Sequence, residues 1–232
     1  MSKIILNIPH SSTHGIFGEL GKWPRNYDFV NNCVNQLTDT YTDFIFNTNN
    51  ENVKSFVFPL SRFVCDVERL VNDPMENIGQ GIIYTHYKGY KRGELDETVK
   101  NELINTYFNY LRSIENEIED GTILIDCHSF TQAKEDAPDI CIGFNNDWSY
   151  DNKIVKIISD EFSNSGYSVK FNEPFSNSIT PETENQNYKS VMIEVNKRVY
   201  MDTNTQRLNT NPRQWMRWFG CMDRIYNKLC EL

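Results

Sequence analysis

The stretch Thr122-Ile123-Leu124-Ile125-Asp126-Cys127-His128-Ser129-Phe130 decides the fold. Its first half, Thr122–Asp126, is a short apolar run of strand-forming residues. It ends in an acid, a thiol, an imidazole and a hydroxyl. An apolar strand that delivers ionisable groups at its end fits a sheet covered by helices, where function gathers at the carboxyl ends of strands. Within Asp126-Cys127-His128, residues two apart share a face, which suits Asp126 to orienting either His128 or an adjacent loop; spacing alone does not choose between them.

The same grammar recurs outward from this segment. Ile4–Ile8 reads as a buried strand that stops at Pro9 and is followed by His10-Ser11-Ser12. Phe63–Val67 reads as a strand delivering Asp66, Glu68 and Arg69. Val191–Val195 reads as a strand carrying Glu194 and followed by Asn196-Lys197-Arg198. Val53–Phe58, Asp139–Gly143 and Tyr167–Phe171 complete the expected strands. Helical spacing of apolar residues predicts helices over Tyr27–Asn47, Leu95–Ile118, Ile154–Phe162 and Pro212–Leu229. Asn72–Arg92 and Asn172–Lys189 lack a period and read as long loops of the kind that carry function. Strands alternating with helices predict an α/β sandwich around a largely parallel, mixed sheet, in a single domain over residues 1–232.

Composition narrows the class. The chain has 232 residues, 23 Lys and Arg against 32 Asp and Glu, and a formal net charge of −9. An acidic balance argues against nucleic acid and against anionic membrane surfaces. No apolar run approaches a membrane span, and the first ten residues do not form a secretory signal. The six cysteines are scattered without a CxxC pair, which reads as reduced thiols and a cytoplasmic protein.

Only four histidines occur: His10, His14, His86 and His128. His10 and His128 both follow expected strands. Two imidazoles and a carboxylate suit a catalytic zinc, which leaves one position for water. A further carboxylate such as Glu194 suits a general base, and an arginine suits a substrate carboxylate. His14 reads as a loop residue, and His86 as a surface or gating residue. There is no HExxH helix and no GxSxG elbow. Cys127 and His128, being adjacent in a strand, face opposite sides and do not form a thiol–imidazole pair.

Four short motifs in order then resemble the N-formylglutamate amidohydrolase family. They are Ile8-Pro9-His10-Ser11, Asp66-x-x-Arg69, Ile125–Phe130 and the run Ile193–Asp202, with Pro138-Asp139-Ile140 through Gly143 as further support. The resemblance implies a zinc carboxypeptidase-like, three-layer α/β/α sandwich. It implies His10 and His128 as zinc ligands, with Asp66 as the third and Glu68 as its alternative, and Glu194 as general base. It assigns Arg69 and Arg198 to a small anionic substrate. In an acidic protein a local arginine cluster of Arg62, Arg69 and Arg198 is needed to receive such an anion, and Asn196 joins them as a substrate-binding candidate. The implied reaction is hydrolysis of N-formyl-L-glutamate to formate and glutamate, within histidine catabolism. Two departures stand out: Glu68 replaces an expected asparagine, and Leu111 follows Tyr110 where a histidine is expected. A related zinc amidase acting on another acyl-amino acid or a cell-wall peptide, and a binding protein without metal, are the alternatives. Monomer and homodimer are both open.

Overall fold

The structure is a computed structural model that describes residues 2–132, 136–183 and 187–232. The chain divides into two compact units. The first comprises Met1–Ile8, Tyr41–Phe56 and Glu117–Leu232; the second comprises Pro9–Thr40 and Val57–Asn116.

The first unit is built on a six-stranded sheet. Its strands are β1 (Ile4–Ile8), β2 (Val53–Val57), β3 (Ile123–Phe130), β4 (Ile140–Gly143), β5 (Val169–Phe171) and β6 (Lys189–Asn196), in the spatial order β2-β1-β3-β6-β4-β5. The pairs β1–β3, β3–β6 and β4–β5 are parallel, and β4–β6 is antiparallel. The sheet is therefore mixed and mostly parallel, and the α/β class expected from the sequence is observed.

Alternation along the central strands separates two faces. Ile123, Ile125 and Cys127 of β3 share one face with Val191, Ile193 and Val195 of β6 and with Ile140 and Ile142 of β4. All of them belong to one buried apolar cluster. Helices α2 (Asn152–Asn164) and α3 (Pro212–Cys230) supply the other side of that cluster through Ile158, Phe162, Trp218 and Ile225, among others. Each such buried aliphatic side chain stabilises the fold by about 2 kcal/mol. Trp218 and Tyr226 keep their polar atoms satisfied, donating to the carbonyls of Ile45 and Phe46.

The second unit packs the aromatic trio Trp23, Phe29 and Phe63, with ring centroids 5.1 to 5.5 Å apart. Its long helix is α1 (Glu97–Glu115). The buried guanidinium of Arg92 ties this unit together by donating to the carbonyls of Leu20, Gly21, Val64 and Tyr84. Burial pulls its pKa down to about 10.

Three expectations are corrected here. Phe63–Val67 is not a strand. Val64 N–H and Cys65 N–H both donate to the Ser61 carbonyl, and Phe63 N–H donates to the Ser61 hydroxyl, which folds the run into a turn. The apolar residues are buried all the same, so burial without a sheet partner mimicked a strand pattern. Tyr27–Asn47 is not one helix: helical turns cover Tyr27–Leu37 and Thr42–Ile45, interrupted where Thr38 is extended and Tyr41 has φ +69°. The break is fixed by Asp39 N–H donating to the His10 carbonyl. Asn72–Arg92 is not free of structure, since it holds a short 3-10 turn at Pro74–Ile78 and a two-residue hairpin, His86–Tyr87 with Tyr90–Lys91. Among the described residues of Asn172–Lys189 no helix or strand forms before Lys189, where β6 begins; residues 184–186 lie outside the described residues. No helix among the described residues is long and apolar enough to cross a membrane.

Candidate functional site

The face of the sheet opposite the apolar cluster carries polar groups. Asn7 of β1 lies in register with Asp126 of β3, and His128 lies in register with Glu194 of β6. Cys141 of β4 is the partner of Glu194 on its other side. The strand β3 runs on through Phe130, so His128 sits inside the strand rather than just beyond it. Beyond Asp126 it is paired by β6. The alternation that buries Ile123, Ile125 and Cys127 therefore also lines up Asp126 and His128.

His128 Nε2 lies 3.1 Å from Asp126 Oδ1. Asp126 accepts from Asn7 Nδ2 at 2.8 Å and from the Ile179 N–H at 3.2 Å. Burial alone would raise the Asp126 carboxyl, but His128 and these donors outweigh it and hold the group ionised below its ordinary pKa. The loop after β5 thus has a definite task, since Ile179 fixes the acid that orients the imidazole. Gly143 allows that loop to come close. A Cβ there would overlap Met192 and the Asn177 carbonyl.

The second unit holds the other histidine cluster. His10 is buried, and its Nε2 lies 2.9 Å from Asp66 Oδ1. Its Nδ1 faces Glu68 Oε2 at 3.6 Å and Asp39 Oδ2 at 3.8 Å. Asp66 is surrounded. Arg62 donates to its Oδ2 through Nε at 3.2 Å and Nη2 at 2.9 Å. The Tyr84 hydroxyl donates to it at 2.8 Å, and the Glu68 N–H at 3.2 Å. Arg69 Nε stands 3.8 Å away. Burial would raise Asp66, yet Arg62, His10 and Arg69 together hold it well below the usual carboxylate range. Arg69 donates through Nη2 to the Tyr84 hydroxyl at 3.3 Å, and its carbonyl accepts from Tyr107.

The sequence-predicted residues thus fall into two groups. His10, Arg62, Asp66, Glu68 and Arg69 assemble in the second unit, while His128 and Glu194 stand side by side in the first. Asn196 and Arg198 serve the end of β6. The Asn196 amide donates to the carbonyls of Gln132 and Pro138, and its oxygen accepts from the Arg198 N–H. The Arg198 guanidinium binds Asp139 and the Ala137 carbonyl. His14 contributes backbone only: its N–H donates to the Ser12 hydroxyl and its carbonyl accepts from the Ser61 N–H. His86 is exposed in the hairpin. Sequence reading missed Asp39, Tyr84 and Asn7. Asp39 was concealed inside an apparently continuous helix, and only the close placement of Thr38, Asp39 and Thr40 hinted at a break.

The donor chemistry fits a divalent metal. Each imidazole has one ring nitrogen held by a buried carboxylate, the arrangement that fixes tautomer and aim in metal-binding histidines. Ligand atoms of a tetrahedral zinc lie about 3.4 Å apart, given bonds of about 2.1 Å. The separations from His10 Nδ1 to Glu68 and Asp39 are close to that value. Asp66, by contrast, spends its oxygens on Arg62, Tyr84 and His10.

Comparisons with known proteins bear on the family and the fold. A sequence profile described as N-formylglutamate amidohydrolase matches residues 2–201. The structure is similar to that of an N-formylglutamate amidohydrolase from Ralstonia eutropha JMP134, with a TM-score of 0.76 and 16% identity, over 100% of this chain and 96% of that one. A gene product of Agrobacterium tumefaciens has a similar fold at a TM-score of 0.59 and 13% identity, over 98% of this chain and 90% of that one. No curated protein matches by sequence. With the profile spanning most of its length, the chain belongs to the N-formylglutamate amidohydrolase family.

Proposed function

We propose that the chain is a metal-dependent amidohydrolase that cleaves the amide bond of an N-acyl amino acid, with N-formyl-L-glutamate as the reference substrate. Family membership supports amide hydrolysis. The observation that carries the catalytic assignment is the register of Glu194 beside His128 on adjacent strands.

In this reading His10 and His128 hold the metal, zinc foremost, together with a carboxylate. Asp66 was the first choice from the sequence. Its engagement by two arginines and Tyr84 favours a positioning role on His10, which leaves buried Asp39 as the ligand and Glu68, the alternative from the sequence, partly exposed beside it. A divalent cation in that donor set supplies Lewis acidity for the amide carbonyl and lowers the pKa of water. Glu194 takes the proton of the attacking water and delivers it to the departing nitrogen, which leaves as an amine. Arg69 holds the substrate carboxylate, and Arg62 keeps Asp66 ionised and in place. Arg198 and Asn196 order the end of the strand that carries Glu194. The six unpaired, buried cysteines support a reducing, cytoplasmic setting.

The test is formate release from N-formyl amino acids by the wild type and by Glu194→Gln, with zinc added and with a chelator. Release that depends on metal and on Glu194 supports the reading; a wild type that releases no formate from any of them refutes it.

A further inference from the structure

The charge around His10 bears on which N-acyl amino acid is accepted, an inference that rests on the amidohydrolase reading. Among the described residues of that cluster there are three carboxylates, Asp39, Asp66 and Glu68, and two guanidiniums, Arg62 and Arg69. Arg62 is committed to Asp66 through two bonds, and its side chain is only 15% exposed. Arg69 gives one bond to Tyr84 and is the more exposed of the two. One arginine with spare donors anchors one carboxylate. Glu68, partly exposed and 3.6 Å from the imidazole, lies on the same turn as Arg69 and repels a second.

We propose that this chain selects N-acyl amino acids bearing a single carboxylate, with a neutral or basic side chain, and that Glu68 is the specificity-determining residue. Arg69 takes the α-carboxylate. A γ-carboxylate, as in glutamate, meets Glu68 rather than a free cation. Glutamine has nearly the same shape as glutamate and lacks that charge, so the pair isolates electrostatics from fit.

The experiment compares kcat/KM for N-formyl-L-glutamine, N-formyl-L-glutamate and N-formyl-L-lysine in the wild type and in Glu68→Gln. The wild type is expected to favour glutamine over glutamate by on the order of tenfold, since like charges a few ångströms apart in a partly desolvated site cost at least that much. Glu68→Gln is expected to bring that ratio close to one, whatever it does to the absolute rate. Calorimetric binding of free L-glutamine and L-glutamate, with and without zinc, gives a readout independent of turnover. A wild type that prefers glutamate, or a preference unmoved in Glu68→Gln, overturns the inference. If no N-formyl amino acid is hydrolysed, the amidohydrolase reading fails. Tighter binding of glutamine than glutamate then still upholds the selection of charge, and equal binding, or none, overturns it.

Discussion

Replacing Asp66 with asparagine removes one negative charge from the interior while keeping volume and shape, so no cavity confuses the result. The wild-type carboxylate accepts from Arg62 twice, from Tyr84 and from the Glu68 N–H, and it pairs with His10. In Asp66→Asn the Arg62 guanidinium is left among buried groups without its counterion, and one of the two acceptor oxygens becomes an NH2 donor. Breaking a buried pair in this way costs 3–5 kcal/mol, and the partial exposure of Arg62 places the loss at about 3 kcal/mol. For a chain of this size each kcal/mol lowers Tm by about 2–4 °C, so the expected drop is roughly 6–12 °C. Calorimetric melting and urea titration measure it. Combining Asp66→Asn with Arg62→Met should destabilise by at least about 1 kcal/mol less than the sum of the two single changes, because the orphaned charge is gone. Zinc affinity should also fall about 10–100-fold, as His10 loses the carboxylate that aims it. A Tm within about 2 °C of the wild type, or strict additivity with Arg62→Met, would refute the reasoning that Asp66 is the hub of this cluster.

Other expectations are more compact. Glu194→Gln should lower kcat by about 10²–10⁴ while leaving zinc content and fold unchanged, checked by steady-state assay and metal analysis. Arg92→Lys should destabilise by about 2 kcal/mol, because an ammonium cannot reach the carbonyls that the guanidinium fork spans; urea titration decides it. Glu161 is held below its ordinary pKa by hydrogen bonds from Lys228 and Arg224. Its stabilising effect is therefore present above the unfolded-state carboxyl pKa and is lost as pH falls through the lowered one. Glu161→Gln should cost about 1 kcal/mol at pH 7, the partners being half exposed, and the difference from wild type should vanish in acid.

The central strands were legible because Thr122–Asp126 and Val191–Val195 are short apolar runs, and Asp126, His128 and Glu194 stood out as the ionisable residues at their ends. The structure carries the first of these strands on through Phe130, so that Ile123, Ile125 and Cys127 join the core while Asp126 and His128 share the other face. The His10 cluster was half legible. His10 and Arg69 stood out by type, but Asp39 lay within a seemingly helical run, and Tyr84 within a loop whose aromatic residues showed no period. Nothing local marks a tyrosine whose hydroxyl bridges an acid and an arginine far apart in sequence. Phe63–Val67 shows the converse failure: its burial pattern is that of a strand, but Ser61 satisfies its N–H groups in a turn. Arg198 has the right chemistry for a substrate anion, and only tertiary placement reveals that it also binds Asp139 and the Ala137 carbonyl.

The most direct test of the central claim is formate release from N-formyl-L-glutamine and N-formyl-L-glutamate by the purified chain, with metal content measured on the same sample. The account predicts about one zinc per chain, release that a chelator abolishes and zinc restores, and loss of that release in Glu194→Gln at unchanged zinc content. Full activity in a metal-free sample, or in Glu194→Gln, would contradict it.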